Sequence, residues 1–163
     1  MIVRMASATT FVGAIGSALM AGVLLAFSIS VLPGLKTLPV PVAISSFQSA
    51  NAAILNPLFL VLFTGTALSC VIAAATTPFT DRGNSVLIIA GAVLYVVGCC
   101  AVTIAINVPL NDALAAVDPA SAAGAGVWED FTDRWARWNN VRTVAATAAC
   151  AVLILGQGRS ALG

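Results

Sequence analysis

Seven polar side chains stand where apolar helices begin or end: Gln48, Asn51, Asn107, Asn111, Asn139, Asn140 and Arg142. Gln48 and Asn51 precede the second apolar run, Asn107 closes the third, and Asn139, Asn140 and Arg142 open the fourth. The first and third connections lie on one side of a membrane, so all seven belong to the same end of a bundle. An unpaired amide in hydrocarbon costs several kcal/mol, so each of these groups needs a partner. One reading is that they cap helix ends and tie loops together. The other is a polar pocket roofed by Trp135 and Trp138, with Arg142 as its only cation. Trp128, Phe131, Trp135, Trp138 and Arg142 recur at helical spacing and are expected on one face. Interfacial tryptophans also form the aromatic belt of many membrane proteins. Two indoles and a guanidinium together suit a flat aromatic ligand that carries phenolate or carbonyl oxygens.

Other chemistries find little footing. The chain has no histidine, which removes the commonest metal ligand and the side chain best matched to proton transfer near neutrality. Cys70, Cys99, Cys100 and Cys150 all lie in apolar runs without a Cys-x-x-Cys pair, and read as small packing residues. No metal site and no phosphate loop or dinucleotide fingerprint is expected. A net charge of +1 without a basic run gives nothing to attract nucleic acid.

The elements that must position these residues are membrane helices. Hydrophobic residues make up 60% of the 163 and charged ones 8%, against about 25% charged in soluble domains. The runs without charge place spans at 10–32, 57–77, 85–108 and 141–156, in a single membrane domain over 1–163. A spanning helix needs about 20 apolar residues. The fourth run is shorter, so its helix is expected to start upstream, with Asp118 as N-cap and Pro119 in the first turn. Asp130 with Arg134 and Asp133 with Arg137 would add i,i+4 pairs. The third span is expected to end at Val108, because Pro109 disfavours helix before it, and 109–140 to form the largest extramembrane segment. Gly83-Asn84 marks a tight turn. The fold class is all-α: an integral membrane four-helix bundle whose fourth helix extends beyond the bilayer. No Asp, Glu or Lys falls within these spans, which argues against an ion-coupled transporter.

The first span is longer than the apolar core of a signal peptide and reads as a retained helix. Gly13, Ser17 and Ala21 recur along it every four residues, as do Ala18 and Gly22. Such spacing lets helices approach closely, and would also allow a homodimer. Lys and Arg number three on the N-terminal side and four on the other, which leaves orientation undecided by charge. The short second loop and the free amine favour an N-terminus in the cytoplasm. The expected setting is a bacterial plasma membrane, with membrane lipid as the surrounding partner.

Asn107-Val108-Pro109-Leu110-Asn111, with Trp135-Ala136-Arg137-Trp138-Asn139-Asn140-Val141-Arg142, resembles a family of small four-helix membrane proteins that includes the anthrone oxygenases. Phe27-Ser28, Pro33, Gln48, Asn51, Asn56-Pro57 and Phe59 fit its first half. The resemblance implies oxidation of an anthrone to an anthraquinone by dioxygen, with no metal or flavin and hence no cofactor. It implies a catalytic set of Arg142 as oxyanion partner with Asn139 and Asn107 as neutral donors. A lipophilic aromatic would then lie against Trp135, Trp138, Gln48, Asn51, Asn111 and Asn140. The chain departs from the family at Asn140, where a His is usual. If that His takes the substrate proton, this chain cannot do so in the same way, and a water or a substrate phenolate would have to serve. A non-catalytic membrane protein that binds a lipid, small molecule or partner is the alternative.

Overall fold

The computed structural model describes residues 1–80 and 85–158. They form five helices: α1 (Ile2–Leu35), α2 (Val40–Ile54), α3 (Pro57–Phe79), α4 (Ser85–Ala115) and α5 (Gly124–Gly158). Four of them, α1, α3, α4 and α5, are long and apolar enough to cross a bilayer. The fold is an all-α membrane four-helix bundle. The expected turn at Gly83-Asn84 and the charges Asp81, Arg82 and Arg159 lie outside the described residues.

The helices outrun the charge-free runs. α1 starts at Ile2 rather than residue 10. Thr9 and Thr10 donate to carbonyls of their own preceding turn, at 2.8 and 2.7 Å, so their hydroxyls are satisfied without breaking the helix. α4 does not stop at Val108 but continues past Pro109 to Ala115. A π-turn over Thr103–Asn107 precedes the proline. Its wider i→i+5 bonding shifts the carbonyls that the ring would otherwise meet. Asp118 does not cap α5. It accepts from the Ala120 N–H at 2.9 Å in a local turn, and the helix begins only at Gly124, past a run of small residues that hold no helical turn.

α5 is 35 residues long, about 50 Å at 1.5 Å per residue, so it extends well past a hydrocarbon core of about 30 Å. Its outer half meets α2, a helix hidden within the first connection. Asn56 caps α3 by accepting from the Phe59 N–H at 3.0 Å. Asp133 pairs with Lys36 at 3.1 Å instead of with Arg137, because the end of α1 lies alongside α5. Arg134 and Asp130 do pair, at 3.6 Å.

Two apolar cores result. The bundle core holds Met20, Leu24, Cys70, Tyr95, Cys99 and Leu153. All four cysteines are free thiols. Small residues let the helices close on one another: a Cβ on Gly16 would stand 2.9 Å from Cβ of Thr66, and one on Gly98 2.6 Å from Cβ of Ala145. Gly13, Ser17 and Ala21 face this core, while Ala18 and Gly22 are on the outer surface of α1. The second core is a cap in which Leu32, Ile44, Phe47 and Leu114 surround Trp128, Phe131 and Trp135 of α5.

Candidate functional site

Where the two cores meet there is a cavity of about 90 Å³. Its depth follows from helix pairing. Gly16 meets Thr66, and Gly13 meets Cys70, so α1 and α3 are antiparallel and the first turn of α3 stands level with Leu24 and Leu25. Asn139 donates to the Leu24 carbonyl at 2.8 Å. Asn139 therefore sits at the same level, and Arg142 about one turn deeper. α3 has 23 residues, close to the length that a bilayer's hydrocarbon core requires. The cavity thus lies at the edge of the hydrocarbon.

One wall is apolar and aromatic: Val23, Leu24, Phe27, Phe47 and Phe59. The other is polar: Asn51, Thr103, Asn111, Asn139 and Arg142, with Trp135 between. Arg142 is 6% exposed and makes no ion pair among the described residues. Its Nη1 donates to Oγ1 of Thr103 at 3.1 Å and its Nη2 to Oδ1 of Asn139 at 2.7 Å. Nε has no partner. Two of five N–H groups are thus engaged, both by neutral oxygens. The guanidinium carbon stands 5.5 Å from the centre of the Trp135 ring, within range of a cation–π attraction. A cation held away from water by neutral groups alone carries an uncompensated desolvation cost.

The remaining polar groups fix orientations. Trp135 Nε1 donates to Oδ1 of Asn111 at 2.8 Å, and Nδ2 of Asn111 donates to Oδ1 of Asn51 at 2.8 Å. The indole is locked from α4 and α2 at once. Asn139 uses both amide hydrogens on α1, one on the Leu24 carbonyl and one on Oγ of Ser28, each at 2.8 Å.

Of the nine residues singled out from the sequence, five line the cavity: Arg142, Asn139, Trp135, Asn51 and Asn111. Residues 45–152 match the family model described as anthrone oxygenase. The chain belongs to the anthrone oxygenase family. No curated protein and no solved structure shows a significant match to it. The matched stretch runs from α2 to α5 and carries the whole polar wall of the cavity, which the family assignment therefore covers.

The other four residues lie elsewhere. Trp138 is rotated about 60° from Trp135 around the helix and faces a separate outer groove with Ala105, Pro109, Leu110 and Arg134. It does not roof the cavity. Gln48 donates from Nε2 to the carbonyls of Leu114 and Val117, at 2.9 and 3.0 Å, and so ties α2 to the end of α4. Asn107 is fully buried and donates to the Trp135 carbonyl at 3.4 Å, while its Oδ1 has no partner. Asn140 is exposed and accepts from Oγ of Ser28 at 2.7 Å. Asn139 reaches the cavity but has no N–H left to offer a ligand, because α1 holds both. Its Oδ1 holds the guanidinium in place.

Nine lining residues went unread as site residues, Thr103, Phe27 and Phe47 among them. Thr103 lies one turn before Asn107, a spacing that could have exposed it. Phe27 and Phe47 look in the sequence like any apolar residue of their runs. Among the described residues, no group of three or more His, Cys, Asp or Glu side chains converges as a metal site would.

Proposed function

We propose that the chain is a cofactor-independent oxygenase of a flat, lipophilic aromatic that bears an activated methylene opposite a ketone, as an anthrone does. The observation that carries this reading is the buried, ion-pair-free Arg142 in the wall of an aromatic cavity at the membrane edge. A lipophilic substrate partitions into the bilayer and reaches that level without crossing water.

The reaction balances without a cofactor. The methylene loses a proton, and the resulting carbanion delocalises onto the ketone oxygen. That oxyanion meets the free N–H groups of Arg142, an electrostatic stabilisation of the kind that dominates many enzymes. The electron-rich anion passes an electron to dioxygen, and the radical pair joins in a carbon–oxygen bond to give a peroxide. The peroxide loses its remaining C–H proton as the oxygen–oxygen bond breaks and hydroxide departs. One oxygen atom ends in the new ketone and the other in water. The cavity of about 90 Å³ is smaller than a three-ring aromatic, so on this reading Phe27, Phe47 and Phe59 seat only the ketone-bearing edge of the rings.

A second reading has support from Gln48 and Asn107, whose polar groups serve helix contacts and not the cavity. On that reading the protein binds a lipid or other small molecule and turns nothing over.

The test is to add an anthrone under air to the detergent-purified protein and follow anthraquinone absorbance, with Arg142→Ala and protein-free samples alongside. The oxygenase reading expects a rate above autoxidation that is lost in the variant. A rate no greater than autoxidation would remove anthrone oxidation and leave the binding reading.

A further inference from the structure

We infer that the cavity takes its ligand as a monoanion, the proton having gone to water and not to any side chain of the protein. The inference deepens the oxygenase reading and rests on it for the aromatic character of the ligand.

The wall contains no group that can accept a proton. It presents one guanidinium, three amides, one hydroxyl, one indole and otherwise apolar side chains. There is no carboxylate, imidazole, amine, thiol or phenol among them. The amide oxygens already accept hydrogen bonds: that of Asn139 from Arg142, that of Asn111 from Trp135 and that of Asn51 from Asn111. Asn140, the next amide along α5, is exposed and turned to Ser28.

The titratable groups of the packed helices do not alter this. α1 has none between Arg4 and Lys36. α3 contributes Cys70, which faces the bundle core. α4 contributes Tyr95, Cys99 and Cys100, all in that core, and Asp112, which is exposed. α5 contributes Glu129, Asp130, Asp133, Arg134 and Arg137, all exposed, and Cys150, and none of these lines the cavity. Cys99 lies one turn before Thr103 on α4. It is fully buried beneath Thr103, whose hydroxyl donates to the Cys99 carbonyl at 2.7 Å.

A buried cation among neutral donors and acceptors is completed by an anion and left incomplete by a neutral ligand. The ligand acid therefore gives its proton to a water molecule, the hydronium departs to bulk, and the anionic oxygen settles on the free N–H groups of Arg142. The acidity of the ligand then sets the pH dependence of the site, with no protein group involved.

A hydroxyanthraquinone dye tests this without turnover, because both of its central ring carbons are already oxidised and its phenolate absorbs at longer wavelength than its phenol. The dye is titrated with pH in detergent micelles with and without the wild-type protein. The bound dye is expected to ionise at least one pH unit lower than in micelles alone, which is about a tenfold preference for the anion. Unsubstituted anthraquinone, which has no acidic group, is expected to bind at least tenfold more weakly than the dye. Arg142→Met is expected to abolish the shift, and if that variant does not fold, the wild-type titration still decides. Ionisation of the bound dye at the same or higher pH would overturn the inference, as would equal binding of unsubstituted anthraquinone. Anthrone turnover without anion preference would remove this inference and keep the oxygenase reading. Anion preference without turnover would do the reverse.

Discussion

Arg142 and Asn139 stand one turn apart on α5, and the guanidinium Nη2 donates to the amide Oδ1 at 2.7 Å. That amide is in turn anchored on α1 through Leu24 and Ser28. The cation is therefore positioned by a helix over a hundred residues away in sequence. Asn139→Leu leaves one guanidinium N–H without its partner and cuts both ties to α1. It is expected to lower stability by about 1–3 kcal/mol and to weaken dye binding. Ser28→Ala removes one of the two ties and is expected to cost about 1 kcal/mol. Thermal unfolding in detergent, together with dye titration, measures both. Equal stability of Asn139→Leu and wild type would contradict this anchoring.

Thr103 is the other fixed partner of Arg142, at 3.1 Å. Thr103→Asp places a carboxylate against the guanidinium and completes the ion pair from within the protein. Affinity for the anionic dye is expected to fall at least tenfold while the protein remains folded. Unchanged affinity would show that the positive charge is not what holds the ligand.

Gln48 separates tying from binding. Gln48→Leu loses two hydrogen bonds to the Leu114 and Val117 carbonyls, with an expected cost of about 1–3 kcal/mol. Because Gln48 is outside the cavity lining, dye affinity in the folded variant should match wild type. A folded variant that fails to bind would place Gln48 in the site after all.

Helix contact in the bundle can be tested at two glycines. A Cβ at Gly16 would collide with Thr66, whereas one at Gly65 meets nothing within 4 Å. Gly16→Ala is expected to destabilise by about 1–3 kcal/mol through overpacking. Gly65→Ala is expected to be neutral or to stabilise by up to about 1 kcal/mol through helix propensity. Unfolding in detergent should order the three proteins as Gly65→Ala at or above wild type, and Gly16→Ala below it.

The sequence by itself determined the four spanning helices and the long fourth one. A helix facing lipid must be apolar over its whole crossing, and charge-free runs mark such crossings directly. It also brought Arg142, Trp135 and the amides to one end of the bundle, because the first and third connections share a side. What it did not determine was how each helix is rotated. In water, a polar face and an apolar face reveal that rotation. In lipid both faces are apolar, so Trp138 and Trp135 look alike in sequence although one lies in an outer groove and the other in the cavity wall.

Tertiary structure alone decided which polar groups are free. Asn139 and Gln48 carry the same amide chemistry as Asn51, yet contacts with distant helices engage their N–H groups. The passage of α4 through Pro109 depended on a π-turn that residue type does not announce. Lys36 reached Asp133 because the end of α1 lies beside α5. The cavity exists because a bundle core and a cap core meet at Leu24, Phe47 and Trp135. Local pattern fixes what each helix is, whereas a void between helices depends on how their surfaces fail to fill the space they share.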